Sequence, residues 1–288
     1  MKKILACMMA AMMVLGLAAC GSPSSSSAPA AGTEAAGTEA AGTEAAGEMA
    51  SGKLAEVQAA GKLVVATSPD FPPFEYLDGT DVVGIEVEIM QMICEELGVE
   101  LELAQMDFDS VIAGVPAGKF DIGMSGISVT EDRKENALFT DPYCMAAQAI
   151  VVVEGSEITS KADLEGKKVS VQTATTAEEF TMSAGYDVSA FAANNDAEMA
   201  LVTGKVDAWV IDDLTAAEMV AAYNEQSDTK LVILDEAMTS EPYAFSTALG
   251  NDDLIAAINE VLVKLVDDGT VASIFEKYNA PYTSPAEN

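Results

Sequence analysis

Arg133 is the only arginine in a chain of 288 residues that carries 47 Asp and Glu and no histidine. A guanidinium is the side chain suited to a two-pronged grip on a carboxylate. It stands at the end of Ser125-Gly126-Ile127-Ser128-Val129-Thr130-Glu131-Asp132-Arg133, where Ser128 can add a hydroxyl and a backbone N–H to the same anion. The same arginine can instead pair with Glu131 or Asp132 on the surface, a bridge worth at most about 1 kcal/mol. Taken alone, Arg133 leaves both readings open.

Other chemistry is excluded by what the chain lacks. A formal charge of −33 repels phosphate, so nucleic acid is not an expected partner. Without histidine there is no Ser-His-Asp or Cys-His machinery and no imidazole ligand, and no metal or cofactor is expected. No paired-carboxylate motif stands out. Gly123-Met124-Ser125-Gly126 lacks the G-x-S-x-G spacing of a nucleophile elbow. Hydrophobic residues at 50% against charged residues at 21% fit a chain with a real core.

The elements that must position Arg133 alternate between strand and helix from Lys53 onward. Leu63–Ala66 is a short apolar run after Gly61, predicted as a buried strand. Asp70-Phe71-Pro72-Pro73-Phe74 is predicted as a loop, because two prolines stop helix and sheet. Ile85, Ile89, Met92, Ile93 and Leu97 fall at helical spacing, and Gly98 ends that helix. Leu101–Leu103 and Phe120–Ser128 are predicted strands, with a short helix between them capped by Asp109. Strands are then expected at Ala149–Val153, Lys168–Gln172, Val206–Ile211, Leu231–Leu234 and Tyr243–Leu249. Helices are expected from Ala177, from a cap at Asp196 to Gly204, at Leu214–Tyr223, at Asp253–Val266 and at Val271–Tyr278. The alternation implies an α/β fold with mainly parallel sheets, in which ligands sit at the carboxyl ends of strands. A zwitterion held there needs one cation and one anion; Arg133 and Asp212 stand at two different strand ends.

The stretch from Phe108 to Tyr143, FDSVIAGVPAGKFDIGMSGISVTEDRKENALFTDPY, resembles the signature region of the family 3 extracellular solute-binding proteins, the polar amino-acid receptors of ABC importers. LVVATSPDFPPFEY (Leu63 to Tyr76), GIEVEI (Gly84 to Ile89), GKVDAWVID (Gly204 to Asp212) and the close from Gly269 to Tyr278 are similar to the same family. The similarity covers about residues 53–280. It implies a two-lobed fold of the type II periplasmic-binding-protein class with two hinge crossings, near Cys144–Gln148 and Glu241–Ala244. Residues 53–144 plus 243–288 would form lobe 1, and residues 145–242 lobe 2.

By the same resemblance, Phe71 and Phe108 would sandwich the ligand side chain. Arg133 would clamp the α-carboxylate with Ser128 and Thr176. Gly126 would offer its carbonyl to the α-ammonium, Asp212 would be the counter-charge, and Thr175 would add a polar contact. Ser68, Glu75, Met106 and Gln172, with Thr67, are the expected rim residues that tune specificity. Ser68 stands where several family members carry an acid, and Ala174 replaces a common glycine. With no second pocket cation, acidic ligands fit least, and polar and basic amino acids both remain open.

Lys2 and Lys3 followed by the apolar run Ile4–Ala19 are a signal segment over 1–19, too short for the roughly 20 residues that span a bilayer. The run ends in Leu17-Ala18-Ala19-Cys20-Gly21, which resembles a lipobox, so Cys20 is expected to be acylated and to hold the protein at the outer face of the cell membrane. Residues 20–52, with AAGTE repeated three times from Ala30 to Glu44, are a low-complexity tether of roughly 30 Å reach. Cys94 and Cys144 are expected as two buried thiols rather than a disulfide. The chain thus reads as a monomeric, lipid-anchored receptor that hands a free amino acid to a permease and an ATPase. The alternatives are an enzyme of dehydratase or lyase type on the same fold, with Glu75 or Glu178 as its acid, or a ligand-sensing surface module.

Overall fold

The computed structural model describes residues 52–285 except Ala237. The signal segment, Cys20 and the tether up to Ser51 lie outside the described residues. In chain order, α1 (Lys53–Ala60) leads into β1 (Lys62–Thr67), and β2 (Asp70–Phe71), β3 (Glu75–Asp78) and β4 (Asp81–Val83) form a small antiparallel sheet. Then come α2 (Ile85–Leu97), β5 (Glu100–Gln105), α3 (Phe108–Gly114), β6 (Ile122–Gly123), α4 (Glu131–Lys134) and β7 (Ala137–Phe139). After β8 (Cys144–Ala146) the chain builds β9 (Gln148–Val153), β10 (Lys168–Gln172), α5 (Thr176–Ser183), β11 (Asp187–Phe191), α6 (Asn194–Val202), β12 (Ala208–Asp212), α7 (Asp213–Gln226) and β13 (Leu231–Ile233). It returns through β14 (Glu241–Tyr243) to β15 (Ser246–Ala248), α8 (Asp252–Asp267) and α9 (Thr270–Lys277).

Two five-stranded sheets define two lobes, ordered β5-β1-β6-β15-β7 and β11-β10-β12-β9-β13. Between them β8 and β14 pair antiparallel, Cys144 opposite Tyr243 and Ala146 opposite Glu241. These are the two hinge crossings. The central strands of the second sheet are covered on both faces. β10 and β12 are buried along nearly their whole length, and Trp209 is fully enclosed. In the first lobe Ile85, Ile89 and Ile93 of α2 lie one turn apart and fully buried, and Gly98 closes the helix in the left-handed region. Cys94 and Cys144 are buried free thiols. No helix among the described residues is long and apolar enough to cross a membrane.

Several expectations are corrected. The sheets are mixed: β1 pairs in parallel with β5 and β6, and β10 with β11 and β12, but β15, β9 and β13 run antiparallel to their neighbours. The strand expected over Phe120–Ser128 is only Ile122–Gly123, because the chain then leaves the sheet in a turn with Gly126 at φ 53. The strand expected over Tyr243–Leu249 is split between the hinge and the first sheet. The Pro-Pro loop carries the two-residue strand β2 beside it. The cap of α3 is Asp107, not Asp109, and α6 begins at Asn194, ahead of Asp196.

Candidate functional site

Four strand ends meet at one cleft. The chain after β1 brings Asp70 and Phe71, and the chain after β6 brings Ser125, Gly126, Ser128 and Arg133. β10 ends in Gln172 and leads to Thr175 and Thr176, and β12 ends in Asp212. With Phe108 at the start of α3, these eleven residues line one pocket. Strand ends leave backbone groups and polar side chains without sheet partners, so a site forms there for topological reasons.

Arg133 lies in α4, whose start is capped by Thr130 Oγ1 accepting from the Arg133 N–H at 3.2 Å. Its Nη1 donates to the Ser128 carbonyl at 2.9 Å, and its Nη2 donates across the cleft to the Ala174 carbonyl at 3.0 Å. The guanidinium lies 5.8 Å from the centre of the Phe108 ring. Burial draws its pKa down while the charges of Glu179, Glu241 and Asp212 hold it up. Glu131 bonds Lys134 instead, at 2.9 Å.

Asp212 is buried at the hinge side. Gln148 Nε2 donates to it at 2.9 Å, and the Tyr243 hydroxyl donates to the same oxygen. Burial first, then the Glu241 charge, pushes its carboxyl up to about 7. Arg133 and Asp212 are therefore held by neutral dipoles and form no ion pair with each other.

Ser128 and Thr176 share a partner. Both hydroxyls donate to Glu241 Oε2, at 2.5 and 2.7 Å, and Thr239 donates to Glu241 Oε1 at 2.7 Å. The N-cap of α5 is Thr175, whose Oγ1 accepts from the Glu178 N–H at 3.2 Å and donates to the Gln172 carbonyl at 2.7 Å. Thr176 is the first residue of that helix, so its N–H has no partner within the helix. Gly126 packs under Phe71: a Cβ built there would lie 2.4 Å from the ring.

The expected rim residues separate. Gln172 lines the pocket and donates to Asp70 Oδ2 at 3.2 Å. Ser68 is buried behind the lining, its hydroxyl on Asp70 Oδ1 at 3.0 Å. Glu75 is fully buried beneath Ser125, and Met106 packs with Phe108 outside the lining. Thr67 is buried with an unpartnered hydroxyl.

Three residues were not singled out by the sequence. Ser125 lines the pocket. Glu241 ties the lobes at the hinge. Asp70 accepts the Asn194 N–H at 2.8 Å and so caps α6 from the opposite lobe, where Ala193 has no side chain to do so. Asp70 was legible as the acid beside Phe71 in the Pro-Pro string. Glu241 was one acid among 47 and carried no signal of its own.

A two-lobed binding protein with a polar interlobe cleft is the class that this fold and site define. The family model for bacterial extracellular solute-binding proteins, family 3, matches residues 63–281, and the chain belongs to that family. The L-cystine-binding protein TcyJ of Escherichia coli K12 is 29% identical over 228 residues, covering 77% of this chain and 84% of TcyJ. The arginine-bound form of truncated ArgBP from T. maritima is 38% identical with a TM-score of 0.69, covering 73% of this chain and 99% of that one. The ancestral amino acid-binding protein AncCDT-1, a precursor of cyclohexadienyl dehydratase, is 32% identical with a TM-score of 0.72, covering 78% of this chain and 98% of that one. The curated relatives are amino-acid-binding proteins rather than enzymes.

Proposed function

We propose that the protein is a lipid-anchored extracellular receptor for a free polar or basic amino acid, which it delivers to an ABC permease and ATPase. The observation that carries this reading is one pocket lined from two lobes by a guanidinium, Arg133, and a carboxylate, Asp212, each held only by neutral groups. The ligand's α-carboxylate meets Arg133 and the N–H groups at Ser128 and Thr176. Its ammonium meets Asp212 and the Gly126 carbonyl. Phe71 and Phe108 flank the side chain, and Thr175, Gln172 and Ser68 with Asp70 form its polar end. Because the two charges belong to different lobes, ligand favours the closed arrangement by differential affinity. Cys20 carries the acyl anchor, the protein acts as a monomer, and its acidic surface meets basic loops of the permease.

A thermal-shift panel of the twenty amino acids tests the reading. A ligand at about 100 times its dissociation constant adds about 2.7 kcal/mol, or about 5–10 °C at this size. No shift with any amino acid would remove the reading. Cys20→Ser, which takes away the acylated thiol, is expected to move the protein from the membrane fraction to the medium.

A further inference from the structure

Glu75 of β3 and Glu86 of α2 are both fully buried, and neither forms an ion pair among the described residues. Each reaches the loop that lines the pocket. Ser125 Oγ donates to Glu75 Oε1 at 3.0 Å, and the Gly126 N–H donates to Glu86 Oε2 at 3.1 Å. Tyr143 donates its hydroxyl to Glu86 Oε1. The two carboxyls are close enough for each to shift the other's titration. Yet Glu75 Oε2 is buried with no donor aimed at it. An ionised oxygen in that position would be uncompensated; an oxygen that itself carries the proton needs no donor.

We propose that Glu75 and Glu86 share one proton, carried on Glu75 Oε2 and donated to Glu86, and that this acid pair is the positioning element of the Ser125–Gly126 ligand loop. The groups around the pair reinforce the assignment. Asp70 on β2 adds negative charge, and Tyr143 and Cys144 at the entry to β8 are neutral at ordinary pH. Burial raises both carboxyls, Glu75 the further, because the Glu86 charge adds to its desolvation. Glu86 stays the acceptor that orients the Gly126 N–H, and with it the carbonyl that faces the ligand. The positioning half of the inference rests on the proposed amino-acid site; the shared proton does not.

Infrared difference spectroscopy tests the proton without any ligand. At about pH 6, above the ordinary carboxylate range, wild type minus E75Q is expected to show a protonated-carboxyl C=O band. Its absence overturns the shared proton, whether or not amino acids bind. Stability tests the same proton. A carboxyl raised in the folded state gives stability that is full below its unfolded pKa and lost as pH rises through the folded value. Wild type should therefore lose melting temperature above about pH 5 more steeply than E75Q, and parallel profiles overturn the proposal. Affinity tests positioning. The amide introduced by E75Q keeps both a donor and an acceptor, so this variant should stay within about threefold of wild type, whereas E86Q turns an N–H toward another donor and should lose about tenfold. Equal losses in both variants overturn the assignment of donor and acceptor. If E86Q does not fold, the band and the two pH profiles decide.

Discussion

The two walls of the cleft are built of different material. The first lobe contributes two aromatic rings and a guanidinium, and Phe71 is braced by Phe74 at a ring separation of 5.7 Å. The second lobe contributes hydroxyls, the Gln172 amide, the start of α5 and one carboxylate. The bonds that cross the gap follow a rule. Arg133 meets the neutral Ala174 carbonyl, Asp70 meets the Asn194 N–H and Gln172, and Glu241 meets the Ser128 hydroxyl. Charges on one side are solvated by dipoles on the other and are not cancelled by opposite charges. A cleft arranged this way keeps a cation and an anion available to a zwitterion, which an internal Arg–Asp pair would have consumed.

The largest effect should come from the charge that the first wall alone supplies. Arg133→Met is expected to weaken amino-acid binding about 150- to 5000-fold, the consequence of leaving a buried carboxylate unmatched at about 3–5 kcal/mol. Titration calorimetry with the amino acid of largest thermal shift measures it. A loss under fivefold would mean that the dipoles of the second wall hold the carboxylate unaided.

Asp212 separates binding from stability. Its carboxyl is raised to about 7 by burial and by Glu241, so the ligand's ammonium must draw it into the ionised form. Affinity should fall as pH drops below about 7, by up to about tenfold per pH unit. Stability moves the other way. Whatever Asp212 contributes is full below its unfolded pKa and lost as pH rises through about 7. Asp212→Asn should therefore bind at least tenfold more weakly yet melt higher than wild type at about pH 8, with the gap closing near about pH 4. A variant that melts lower at both pH values would show that the Tyr243 and Gln148 bonds need the charge.

Asp70 tests whether the walls are joined as well as matched. Removing a helix cap costs about 1 kcal/mol, so Asp70→Ala should raise the ligand dissociation rate about fivefold and leave association nearly unchanged. Stopped-flow kinetics reads both. A change confined to association would place Asp70 in ligand capture rather than in closure.

The two walls also differ in how far the sequence exposed them. The first was legible because each of its residues carries a local mark: Phe71 stands beside prolines, Phe108 opens a helix, and Arg133 has no rival arginine. The alternation of strand and helix gave the α/β class, and the family resemblance gave the two lobes and the hinge. In the second wall Gln172, Thr175 and Thr176 are chain neighbours, but Asp212 lies 36 positions beyond Thr176 and Glu241 a further 29, and these acids are surrounded by other acids. Nothing local marks Glu241, because its role comes from β14 crossing beside Ser128 and Thr176 in space. Antiparallel neighbours within each sheet were missed for a related reason. A buried strand has the same apolar run in either direction, so only the path of the chain sets its sense.

The smallest expected effect concerns the neutral partner of Arg133. Ala174 sits at φ 65, where a Cβ costs about 1–2 kcal/mol. Glycine there removes that strain but adds about 0.5–1 kcal/mol of chain entropy to the unfolded state. The difference favours Ala174→Gly by about 0.5 kcal/mol, or about 1–2 °C in melting temperature. The carbonyl that accepts from Arg133 belongs to the backbone and survives the change, as does the Ala174 N–H that donates to Glu178 Oε2 at 2.7 Å. Affinity should then move by less than about twofold. A tenfold loss in the glycine variant would mean that the methyl group, and the stiffness that it gives the turn, holds the carbonyl toward the guanidinium. The second wall would then owe its fit to enforced backbone geometry as much as to dipoles.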